Sequence, residues 1–115
     1  TKAFALRVIR LVQALPESRA ADVIGRQLLR SATSVGANYR AAQRARSTAD
    51  FIAKLKIVEE EADESVYWLE LLSESGLVPT PKLEALLTEG DALVAIIVAS
   101  IRTARGLREE PEEYR

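Results

Sequence analysis

The chain has 115 residues, 48% of them apolar and 29% charged, with five Gly and four Pro. That is enough apolar side chain for one continuous core and too much for a disordered chain. It contains neither cysteine nor histidine, which excludes disulfides, thiolate zinc sites, cysteine nucleophiles and the imidazole that serves most acid/base and metal sites.

The net charge of −1 is a balance of unlike parts. Residues 1–47 hold nine Lys/Arg against Glu17 and Asp22, whereas residues 48–100 hold three Lys against eleven acids. Such halves suit a molecule that pairs with itself, offers a basic face to an anion, or does both. No signal peptide opens the sequence, and its longest apolar run, Ala92 to Ile101 broken by Ser100, is too short to span a bilayer. The expectation is a cytoplasmic protein without membrane contact, and, as Thr1 is not a methionine, a stretch preceding it.

The first predicted helix covers about 2–15, with Phe4, Val8, Leu11, Val12 and Leu15 on one face before Pro16. Ser18 is a plausible N-cap for the second, about 19–45, whose core stripe is Ile24, Leu28, Val35, Tyr39 and Ala42. Ala32 and Gly36 lie beside that stripe and allow a close neighbour. Ser47-Thr48-Ala49-Asp50 reads as a capping-box variant, with Asp50 placed to bond back to the Ser47 amide. It opens a third helix over 48–75, with Phe51, Leu55, Val58, Ala62, Val66 and Leu69 inward and Gly76 at its end. Thr80-Pro81 is the predicted start of a fourth over 81–105. Leu83, Leu86, Leu87, Leu93, Val94, Ile97, Ile101 and Ala104 form its stripe. Residues 92–101 are apolar almost all round, so this helix is expected to be the most buried of the four, and Gly106 to close it before a charged tail, 107–115. Short connections give an all-α, antiparallel up-down-up-down four-helix bundle over 1–106.

The stretch Gln27-Leu-Leu-Arg-Ser-Ala-Thr-Ser-Val-Gly-Ala-Asn38, followed by Ser47-Thr-Ala-Asp-Phe-Ile-Ala-Lys-Leu55, resembles the family of four-helix-bundle proteins encoded by intervening sequences in 23S ribosomal RNA genes. The likeness covers roughly residues 4–100. Where many members follow the equivalent of Asn38 with Ile-Ala-Glu-Gly, this chain has Tyr39-Arg-Ala-Ala-Gln-Arg, so it reads as a distinct branch. The resemblance implies a small cytosolic bundle that assembles as a homo-oligomeric ring, often a pentamer. Related bundles are accessory proteins to reverse transcriptases in diversity-generating retroelements, where they bind nucleic acid; a protein partner of that kind is implied with them.

Three features could carry function. Arg19, Arg26, Arg30, Arg40 and Arg44 fall within an arc of roughly 80° on the second helix, opposite its core stripe. Guanidinium groups on a rigid rod suit the phosphates of RNA or DNA; the bland alternative is that they are solvated or paired with acids of a neighbouring helix or subunit. The acids Glu59, Glu60, Glu61, Asp63 and Glu64 form the second feature. A di-iron bundle site would need Glu-x-x-His pairs, so a solvated or arginine-pairing face is the expectation rather than a metal or other cofactor site. The third is a strip of Ala53, Ile57, Trp68 and Leu71 with Glu60 and Glu64 around it, which reads as an oligomer interface. Ser31, Ser34 and Asn38, flanking the core stripe, are read as groups that hydrogen-bond between helices and fix their register. With no Cys, no His and no phosphate-cradling glycine loop, the chain is read as non-enzymatic.

Overall fold

The computed structural model describes the backbone of residues 1–113 and the side chains of residues 1–106. Four α-helices are present, α1 (Lys2–Gln13), α2 (Arg19–Gln43), α3 (Thr48–Glu74) and α4 (Glu84–Glu113), with a 3-10 turn at Thr80–Lys82. Among the described residues no helix is long and apolar enough to cross a membrane. Sequential helices pack side by side, antiparallel, and α1 leans lightly on α4 to close the bundle.

Local chemistry sets most boundaries. The Ser18 hydroxyl accepts from the Ala21 amide at 3.0 Å, capping α2, and the Ser47 hydroxyl does the same for the Asp50 amide at the start of α3. The return bond of that box lands one residue earlier than the spacing implied: the Arg46 amide, not that of Ser47, donates to Asp50 Oδ2 at 3.3 Å. Gly76 ends α3 at φ 77°, which suits a residue without Cβ, and the Val78 amide turns back to the Leu72 carbonyl.

The fourth helix departs from expectation at both ends. Pro81 lies in the 3-10 turn, because Val78 and Leu83 are both anchored in the core and the chain tightens between them through i→i+3 bonds. At the other end the helix runs through Gly106 to Glu113. Nor is it the most buried helix, a place that α3 takes between its two neighbours: Ile97 and Ile101 face inward, but Ala92, Ala95, Ile96 and Ala99 are exposed.

The core has two parts. In the first, α1 contributes Phe4 and Val8 to a cluster with Leu28, Ala32, Leu69, Leu72, Leu83 and Leu86, so all four helices meet. The second contains Val35, Ala42, Ile52, Leu55, Val58, Ala62, Ile97, Ile101 and Ala104, drawn from α2, α3 and α4 alone. At 12 residues, α1 is about half the length of its neighbours, and at a rise of about 1.5 Å per residue it spans only about 18 Å. Over its remaining length the bundle is three-helical.

Two tests follow from this packing. A Cβ on buried Gly90 would stand 2.7 Å from Val66 Cγ2 and 3.8 Å from the Phe4 ring. Gly90→Ala is expected to destabilise the fold by about 1–3 kcal/mol in urea unfolding despite alanine's better helix propensity, and Val66→Ala in that background should restore part of the loss. At the α2–α3 turn, Lys54 Nζ bonds both Asp50 oxygens at 2.7 and 2.8 Å. That bond and the Arg46 amide hold the Asp50 carboxyl below its ordinary range. Its stabilising effect is therefore present at neutral pH and lost as pH falls through the depressed value. Asp50→Asn should melt below wild type at pH 7, and the gap should close below about pH 4.

Candidate functional site

The five arginines of α2 are all exposed, as their spacing implies, but the structure divides them. Arg26 is held by Asp22 one turn earlier at 2.5 Å. Arg30 reaches across to α3, to Glu61 at 3.2 Å and to Glu64, and its Nε also donates to Gln27. The acidic cluster is thus the partner of one stripe arginine within the same chain. Arg19, Arg40 and Arg44 have no acid within 4.0 Å among the described residues. Arg40 lines a cleft of about 550 Å³ between the first turn of α1 and α2, together with Thr1, Lys2, Thr33, Ala37 and Gln43. No acid faces that cleft.

Arg30 and not Arg40 meets the carboxylates because the two sit on opposite edges of the stripe, Arg30 toward α3 and Arg40 toward α1. The buried hydroxyls of Ser31 and Ser65 bond at 2.9 Å across α2 and α3, which fixes Arg30 opposite residues 61–64. Arg40, ten residues further along and about 80° round the helix, faces the cleft beside α1. Of the three polar residues expected to bond between helices only Ser31 does so; Asn38 Nδ2 donates to Ser34 Oγ and to the Ser34 carbonyl at 2.9 Å within α2 itself, because the two stand one turn apart on the same helix.

The strip on α3 is only partly available. The Trp68 indole is half-buried, packs against the first core cluster and donates to Glu64 at 3.0 Å, so it is engaged within its own chain. Glu64 is likewise occupied, and Leu71 is half-buried. Ala53, Ile57 and Glu60 stay exposed. Tyr67, which the sequence pattern does not single out, is 52% exposed and packs edge-on against Trp68 with ring centroids 5.0 Å apart. The pattern also misses α4, where Ile96 is 59% exposed, the most of any large apolar side chain described. The signal is present in the run of residues 92–101: an apolar surface on every side of a helix that has only one groove to fill leaves some of it outward.

The family model of the 23S rRNA-intervening sequence protein matches residues 1–99. Among solved structures, the chain is 37% identical to a protein of unknown function from the S23 ribosomal protein family of Bacteroides thetaiotaomicron. The match covers 86% of this chain and 92% of that one, with a TM-score of 0.81. No curated protein sequence matches it.

Proposed function

The chain belongs to the 23S rRNA-intervening sequence protein family, and from that premise we propose that it is a non-enzymatic bundle that assembles with copies of itself and binds the phosphates of RNA or DNA through α2. The observation that carries this reading is the exposure of Arg40 and Arg44 with no acid beside them among the described residues. An uncompensated guanidinium on a rigid helix can give two parallel hydrogen bonds to a phosphate without first breaking an ion pair. Assembly is supported by the apolar side chains that one copy leaves open, Ile57, Tyr67 and Ile96, with the small Ala92, Ala95 and Ala99 around the last. Repetition of the arginines around an oligomer would multiply contacts that are individually weak. The alternative, in which the stripe pairs with the acidic face of a neighbouring subunit, is weakened at Arg30, whose two carboxylates come from its own chain.

The test is fluorescence anisotropy against structured RNA and duplex DNA, for wild type and an Arg40→Glu/Arg44→Glu variant of verified oligomeric size. Wild-type affinity should fall roughly tenfold or more between about 50 and 200 mM salt, and the variant should lose binding while still assembling. A wild type that binds neither probe, together with a variant that falls apart, would assign these arginines to subunit contact instead.

A further inference from the structure

The charge split in the sequence becomes a split in space. α1 packs along α2 and only lightly on α4, while α3 lies between α2 and α4. Helices α1 and α2 therefore form one wall of the bundle, and α3 and α4 the other. Residues 1–47 carry nine Lys/Arg and only two acids. At both margins of the basic wall the acidic wall clasps one cation: Arg7 of α1 reaches Glu89 of α4 at 2.5 Å, and Arg30 of α2 reaches Glu61 and Glu64 of α3. Between the margins stand Lys2 and Arg10 on α1, and Arg19, Arg40 and Arg44 on α2. All five are exposed, with no acid within 4.0 Å among the described residues. Lys2, Leu6 and Arg10 recur every four residues and form one exposed line along α1. Lys2 shares the acid-free cleft with Arg40, which ties the two helices into one surface.

We infer that the nucleic-acid surface is the middle of this α1–α2 wall, that Lys2 and Arg10 join Arg19, Arg40 and Arg44 in contacting phosphate, and that the partner is a double helix held by its backbone. The inference rests on the reading proposed above and extends it to residues outside the α2 stripe. The wall offers no stacking platform, since its two aromatic side chains are Phe4, fully buried, and Tyr39, half-buried against the second core cluster. Single strands are gripped largely by base stacking on exposed aromatics, whereas a duplex presents phosphates on its outside to any row of cations. From Arg19 to Arg44 the row extends about 38 Å at the helical rise. The acidic wall behind it repels phosphate, so the duplex lies on one side of the bundle and is not wrapped.

Arg7 supplies the internal control, because it has the same charge and the same helix as Arg10 but sits at a clasped margin. The experiment titrates fluorescent duplex RNA, duplex DNA and a single-stranded oligomer with wild type, Lys2→Gln/Arg10→Gln and Arg7→Gln, each checked for helicity and oligomeric size. In the double variant duplex affinity should fall roughly tenfold, and the slope of log affinity against log salt should shrink by about two, one for each phosphate no longer neutralised. Arg7→Gln should bind as wild type does. Equal losses in both variants, or a double variant indistinguishable from wild type while Arg40→Glu/Arg44→Glu loses binding, would overturn the assignment to the wall and leave the α2 reading standing. Tighter binding of the single strand would overturn the choice of partner. A wild type that binds none of the probes would remove both this inference and the function it rests on.

Discussion

The contact on which the placement of Arg30 depends is buried: the hydrogen bond between Ser31 of α2 and Ser65 of α3, both without solvent exposure. Ser31 Oγ donates to the Leu28 carbonyl at 3.1 Å and accepts from Ser65, so neither hydroxyl is left unsatisfied. Ser65 Oγ also lies 2.8 Å from the Glu61 carbonyl of its own helix, so sliding one helix would leave both hydroxyls an intrahelical acceptor and would cost the bond between the helices, about 0.5–1.5 kcal/mol. Apolar packing holds α2 and α3 together, but it tolerates more than one register. The serine pair favours one, and that register places Arg30 against Glu61 and Glu64, whereas Arg40 lies on the edge of α2 that faces α1, where no acid lines the cleft.

A second constraint is the shortness of α1. Its Phe4 and Val8 complete the first core cluster and Leu15 packs against Gly25, where even a methyl group would come within 2.9 Å of Leu15 Cδ1. The second cluster receives nothing from it. The apolar residues of α4 beside that cluster divide between an inward face, Ile97 and Ile101, and an outward one, Ile96 and Ala99. One chain therefore combines a closed bundle with a stretch of apolar surface that a fourth helix does not cover.

The inward faces of α1, α2 and α3 were legible from the 3.6-residue period, because a helix with one apolar stripe and polar residues elsewhere has one way to pack. Ser18, Ser47 and Gly76 marked their own boundaries through side-chain oxygens and a missing Cβ. The start of α4 was not legible, since Thr80-Pro81 fits the first turn of an α-helix and of a 3-10 turn equally well. Which one forms is decided by the tether from Val78 to Leu83, a tertiary fact. The outward face of residues 92–101 was hidden for a related reason: an all-apolar run carries no period to read. Of the candidate site, the arginine stripe was visible as an arc. Which arginines are neutralised was not, because the pairing of Arg30 depends on the α2–α3 register and the isolation of Arg40 on what lines the cleft beside α1, both tertiary facts.

The ion pairs at the two margins also shape the surface between them. An exposed ion pair is worth only about 0–1 kcal/mol, so Arg30 is not locked to Glu61 and Glu64 by energy alone. A phosphate that drew it away, however, would confront two carboxylates on adjacent turns of α3, and the repulsion would offset much of the new contact. The same holds at Arg7, where Glu89 waits on α4. The margins of the basic wall are in this sense protected by their own acids, and attraction is concentrated along its middle. A near-neutral chain thus sorts its opposite charges onto opposite walls, and among the described residues the cations left without an acid, Lys2, Arg10, Arg19, Arg40 and Arg44, stand on one of them.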